Sequence, residues 1–495
     1  MLYFRMLLTL IVGLYTSRVV LQTLGASDYG LYNVVGGVIT LFTFLNGTLA
    51  TGTQRFLTFA LGEDNYDKLC NVFSTTFYLH VLFAIIILVV SEIVGLWLLY
   101  NKMQIPDGRM EAAFWVFQFS TVAAMVAVVQ VPYMSSLIAH EKMDIYAWVS
   151  IYDSVLKLLI VYLIQILNSD KLILYAFLLF VTHVSTALIY MIYCRQKYKE
   201  CRMFGGFDKN TFLEIASFSG WNVFGCGAVA LQGQGVNILL NMFFGTVVNA
   251  ARGIAFQVNN IILQFVNNFQ VAVNPQIVKL FASGQKEQMI RLVINNSKIA
   301  AYLLLLIAIP LFIELDFVLY IWLGEYPKYT SIFLRIIIIQ SLVQTITRPV
   351  VMAIHAVGKM KAVNITAGSA LLLILPITYI LLRIGVSPVT VFWVNLIPWF
   401  IELFFELYWL KRYFDFPFWG FYKRVYAVVF PLAFLMFAIP YFIKLYSRLD
   451  GWISLLVTCM VSTIFTLLIV GSLGISKSQR KHILNNVRLR IKRIE

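Results

Sequence analysis

Fourteen apolar stretches, each about as long as a bilayer is thick, follow one another along this chain with short connections between them. A helix rises about 1.5 Å per residue, so roughly 20 apolar residues cross the hydrocarbon layer. Stretches of that length lie near residues 3–22, 31–54, 74–99, 112–138, 144–166, 172–194, 214–243, 247–278, 294–315, 329–354, 362–382, 386–409, 425–443 and 451–473. Residues 112–139 and 253–278 hold no Asp, Glu, Lys or Arg. Charged residues are only 12% of the 495, too few to cover a water-soluble globule. The expectation is an all-α integral membrane protein with about 14 transmembrane helices.

The charges then orient the spans. With the N-terminus inside, 26 of the 38 basic residues fall on inner segments or in the tail, and 8 on outer segments. That asymmetry is the positive-inside pattern, and it requires an even number of spans with both ends inside. The net charge of +15 is therefore read as topology, and no nucleic-acid partner is expected. The apolar run at Met1 is long, Arg18 interrupts it, and no clear cleavage site follows, so it is read as the first span. Cys70, Cys194, Cys201, Cys226 and Cys459 form no CxxC pair and accompany no His cluster. No disulfide framework, metal or cofactor is expected.

The second and eighth spans align at an offset of 222 residues, with Asn46 on Asn268, Gln54 on Gln276 and Gly62 on Gly284. Such repeats suit two related bundles with a substrate site between them. The expected layout is a six-helix lobe over 1–194, a basic inner linker over 195–213 and a second six-helix lobe over 214–410. Two further helices over 411–473 and a basic tail over 474–495 complete it.

Polar side chains inside spans are expensive and therefore informative. Gln257, Asn260, Gln264, Asn267 and Asn274 line one face of the eighth span, and Gln234, Asn237 and Asn241 one face of the seventh. Two readings stand: hydrogen bonding between helices, or a water-filled cavity that receives sugars. Arg18, Arg55, Arg252 and Arg348 lie in or at the ends of spans. They either reach a headgroup or hold an anionic head, for which paired guanidinium donors suit phosphate. Asp153 and Lys157 are four apart, as are Glu402 and Glu406. Each is either a local structural feature or a coupling site, for a cation or, at the Glu402–Glu406 pair, a proton.

The stretch from Leu14 to Phe42, with Arg18, Leu24-Gly25 and Tyr29-Gly30-Leu31-Tyr32, resembles the opening of polysaccharide-export flippases. These belong to the multidrug/oligosaccharidyl-lipid/polysaccharide superfamily. Val248 to Lys279 resembles that family's eighth helix. The resemblance implies a V-shaped two-lobed bundle working by alternating access in a bacterial inner membrane. It implies a polyprenyl-diphosphate-linked glycan as cargo, the bilayer as surroundings and other polysaccharide assembly proteins as partners. It places Arg18, Arg55 and Arg252 where related lipid II flippases carry cavity arginines. A cation-coupled multidrug exporter is the alternative within the superfamily. A membrane polymerase or glycosyltransferase would need catalytic groups on a sizeable outer loop, and these loops are short, so no enzyme is expected.

Overall fold

The computed structural model describes residues 2–40, 66–140, 142–167, 169–202, 208–357, 359–447 and 449–474, with isolated positions between 50 and 61 and at 480. Among these residues the protein is all-α, with fourteen long helices and no strand. Ten of its helical segments are long and apolar enough to cross a membrane. Large apolar side chains stand on the surface, including Ile11 at 62%, Ile166 at 74% and Phe434 at 69% exposure. A water-soluble fold does not present so many, and lipid is the solvent that accepts them.

The first helix, α1 (Leu2–Thr40), is interrupted at Gly25, whose φ of 79° takes it out of helical geometry. The Leu24-Gly25 turn read from the sequence is this break between the first and second spans. Then come α2 (Tyr66–Val90), α3 (Met110–Val129), α4 (Val131–Ala139), α5 (Met143–Ile166) and α6 (Lys171–Lys197). The long pair α7 (Lys209–Phe244) and α8 (Thr246–Ala282) is separated by Gly245 alone. The chain continues with α9 (Lys286–Ile313), α10 (Leu315–Leu323) and α11 (Thr330–Val357). Next are α12 (Met360–Leu372), α13 (Ile374–Arg383), α14 (Pro388–Val394) and α15 (Leu396–Phe414), and α16 (Ala427–Ser447) and α17 (Gly451–Ile469) finish it.

Two breaks within single spans have a common cause. Proline has no N–H to donate to the carbonyl four residues back. Pro376 leaves Leu372 without that bond, and α12 ends at Leu372. Pro398 does the same to Val394, the last residue of α14. The eleventh and twelfth expected spans are each therefore two helices.

The helices form two compact units. Unit one holds Met1–Ile254, Tyr326–Thr330 and Asn364–Val394, and unit two the remainder. In unit one α1 packs against α3, α5 and α7, and α3 against α2 and α6. Its core includes Leu31, Val34, Val35, Ile87, Val116, Phe117 and Leu172. In unit two α9, α16 and α17 pack together. Glu314, between α9 and α10, fastens that packing: it is 2% exposed and accepts hydrogen bonds from Lys444 Nζ (2.6 Å), Ser454 Oγ (2.6 Å) and Thr458 Oγ1 (2.8 Å).

Candidate functional site

The polar residues of α7 are used inside unit one. Asn237 donates to the Asn33 carbonyl (3.3 Å), and Asn249 donates to both the carbonyl and the side-chain oxygen of Asn237 (2.8 Å each). Asn241, fully buried, exchanges bonds with the backbone of Gln104: it accepts from the N–H at 2.9 Å and donates to the carbonyl at 3.4 Å. Gln104 Nε2 adds a bond to the Met242 carbonyl at 2.9 Å. Gln234 contributes through Asn237, at 3.4 Å. These amides tie helices and loops together, which is the first of the two readings open from the sequence. Neither Asn33, Asn249 nor Gln104 was singled out there, because periodicity shows which residues share a face and not which neighbour meets it.

Close backbone approach completes this joint. Ser27 and Thr246 hydroxyls lie 3.4 Å apart. A Cβ on Gly30 would stand 1.9 Å from the Thr246 carbonyl oxygen, so only glycine fits there. The Gly25 and Gly245 turns, both placed on the outer side by the charge pattern, thus belong to one packed region of unit one. Nearby, Arg109 makes ion pairs with Asp28 and Asp170, linking three connections given to that same side. Burial works against ionisation of Asp170, but bonds from Arg109 and from the N–H groups of Ile173 and Leu172 outweigh it and hold the carboxyl below its ordinary range. On the opposite side, Glu200 of the basic linker holds His140 at 2.7 Å, and Tyr198 stacks on the His140 ring at 4.0 Å.

In unit two the amide face of α8 is more exposed. Asn260, Gln264 and Asn268 are exposed, and Gln257, Asn267 and Asn274 are partly exposed. A second polar line on the same helix is buried: Asn259 accepts from Ser341 Oγ at 2.9 Å, and Gln270 donates to the Thr345 carbonyl at 3.0 Å. Those two bonds fix α8 on α11 and leave Asn260 and Gln264 exposed on the other line. Asn259 and Gln270 are eleven positions apart, three helical turns, a signal that the sequence did contain.

The candidate arginines differ. Arg252 is 8% exposed and donates to the Gly233 carbonyl at 2.7 Å, bridging α8 to α7. Arg18 is partly exposed on α1, near Tyr15. Arg348 is exposed on α11, although Ile346, Thr347 and Val350 around it are buried. Arg55 lies outside the described residues. Arg335 pairs with Asp316 at 2.8 Å. Asp153 is neutralised by Lys157 at 2.7 Å on its own helix. Glu402 is partly exposed, whereas Glu406 is 2% exposed.

No family model matches this chain, and no curated protein sequence does. Solved structures do. An inward-facing multidrug resistance MATE transporter of the MOP superfamily aligns with a TM-score of 0.71 at 12% identity, covering 84% of this chain and 96% of that one. The fold is that of the MOP-superfamily transporters. Lipid II flippase MurJ in an inward closed conformation aligns with a TM-score of 0.68 at 12% identity, over 94% of this chain and 98% of that one. A MOP-superfamily transporter from Pyrococcus furiosus, whose binding pocket is described as reversed in polarity, aligns at 0.59 and 12% identity, covering 84% and 94%. The all-α MOP fold expected from the resemblance at Leu14 to Phe42 is thus matched. The multi-pass membrane character agrees with the ten long apolar helices.

Proposed function

We propose that this protein flips a polyprenyl-diphosphate-linked oligosaccharide from the cytoplasmic to the periplasmic leaflet of a bacterial inner membrane, by alternating access. The observation that carries this reading is the outward-turned amide face of α8. Lipid gives amides no partners, so the exposed Asn260 and Gln264 require water or a polar ligand at membrane depth. Sugar hydroxyls donate and accept as amides do, which suits such a face to a glycan. Arg348 and Arg18 supply fixed positive charge for a diphosphate. Arg252 and the α7 amides Gln234, Asn237 and Asn241 shape the surrounding framework. Arg55 is assigned to the same anionic head by its place in the second span. The fold shared with a lipid II flippase supports a lipid-linked cargo.

A multidrug exporter is the competing reading, favoured by the MATE likeness. Against it, Asp153, the chief embedded carboxylate of the first six spans, is already matched by Lys157, and arginines repel a cationic drug. A strain lacking the protein decides between them. Lipid-linked glycan should accumulate on the inner leaflet while drug sensitivity stays unchanged. Normal glycan export in the absence of a redundant carrier would overturn the proposal. Arg18→Ala and Arg348→Ala should each reduce export sharply at normal protein abundance.

A further inference from the structure

Glu402 and Glu406 stand one turn apart on α15, inside a segment long and apolar enough to span the membrane. Glu406 is 2% exposed, and its Oε2 has no hydrogen-bond partner. Among the described residues neither carboxylate forms an ion pair. The titratable groups that face Glu406 are Glu402 on its own helix and Tyr426 on the π-helical turn Tyr422–Tyr426. Tyr426 is 9% exposed, packs on the Phe400 ring, and its hydroxyl makes no hydrogen bond of ordinary geometry. Two acids, a phenol and an aromatic ring therefore lie together, with Glu406 the buried member of the acid pair.

Three occupants could make such a pair tolerable. A basic side chain is not paired with it. A metal ion requires a shell of several oxygens, and among the described residues no group of three His, Cys, Asp or Glu is placed to hold one. A proton requires nothing further: it converts Glu406 to a neutral acid, which a low-dielectric interior accepts far more readily than a carboxylate. We propose that the Glu402–Glu406 pair is a proton site, with one proton held on Glu406 in this structure and released to water when the site opens. Helix-embedded acids of this kind serve as relays in membrane transporters. Coupling of that proton to glycan flipping rests on the function proposed above; occupancy of the site by a proton does not.

Infrared difference spectroscopy of the full-length protein in lipid nanodiscs at neutral pH tests occupancy. Wild type should show the carbonyl band of a protonated carboxyl, shifted in heavy water, and Glu406→Gln should lose it. A wild-type spectrum without the band, or a band unchanged in Glu406→Gln, would overturn the proposal. Exchange of choline chloride for sodium chloride should leave the band intact; its disappearance would make this a sodium site and end the proton assignment. Gln is shaped like the neutral acid, so Glu406→Gln should accumulate to wild-type levels, and failure to fold would show that a carboxylate was needed. Tyr426→Phe should move the band without abolishing it. In cells, Glu406→Gln should reduce glycan export to background, and normal export would remove the coupling. If lipid-linked glycan proves not to be the cargo, the spectra still decide the site.

Discussion

Glu314 and Glu406 are both 2% exposed in unit two, and they are held in opposite ways. Glu314 takes a charged partner and two hydroxyls from α16 and α17. Glu406 has one oxygen with no partner and another acid a turn away. Burial of a carboxyl is thus compatible with two different jobs. A fully bonded one holds helices in place, because removing it strands its partners. An unbonded one holds nothing in place, and its value must lie in a change of occupant. The same division runs through the amides, where Asn241 is spent on Gln104 while Asn260 is turned outward.

The largest effect should come from breaking the bonded member. Glu314→Leu strands Lys444 and two hydroxyls, at a cost of about 3 kcal/mol, and should sharply lower the thermal midpoint in detergent. A midpoint equal to wild type would remove the contrast with Glu406. Arg109→Gln is next, since Asp28 and Asp170 both lose their cation, at about 1–2 kcal/mol. Asp170 is held below its ordinary range when folded, so its contribution is complete above the unfolded value and disappears as pH falls through the folded one. The gap between wild type and Arg109→Gln should accordingly close in acid. A gap that is independent of pH would exclude the ion pair as its source.

Ser341→Ala removes a single neutral bond to Asn259 and should cost about 1 kcal/mol, read from the same melting curves. The smallest change belongs to Glu406→Gln, which should stay within about 0.5 kcal/mol of wild type because no bond is lost. A large loss there would place Glu406 beside Glu314 as a structural carboxylate.

The spans were readable because lipid imposes one requirement on every residue that meets it, and a long apolar run answers it whatever its neighbours are. Gly25 was readable as a turn for the related reason that its break is local, with a positive φ. Helix partners are not local. Arg252 bridges to Gly233, nineteen residues back, and Asn241 to Gln104, 137 residues away. Hydropathy registers both as costly residues in a span and is silent about who satisfies them. The α8 face was legible as a stripe, yet the stripe alone did not distinguish it from the α7 face, which is consumed in packing. Only the placement of Ser341 and the Thr345 carbonyl on α11 shows which side of α8 is already occupied.

The bonds of Glu314 also have a timetable. Its partners lie 130, 140 and 144 residues further along the chain. At about 5–20 residues per second, Lys444 follows Glu314 off the ribosome by roughly 7–26 seconds. For that interval the carboxylate enters the membrane with none of its final neighbours, and a chain stopped short of Lys444 never acquires them. Insertion of α16 and α17 is therefore the step that completes the site of Glu314, and a nascent chain that lacks them should be the form that the cell's membrane proteases remove.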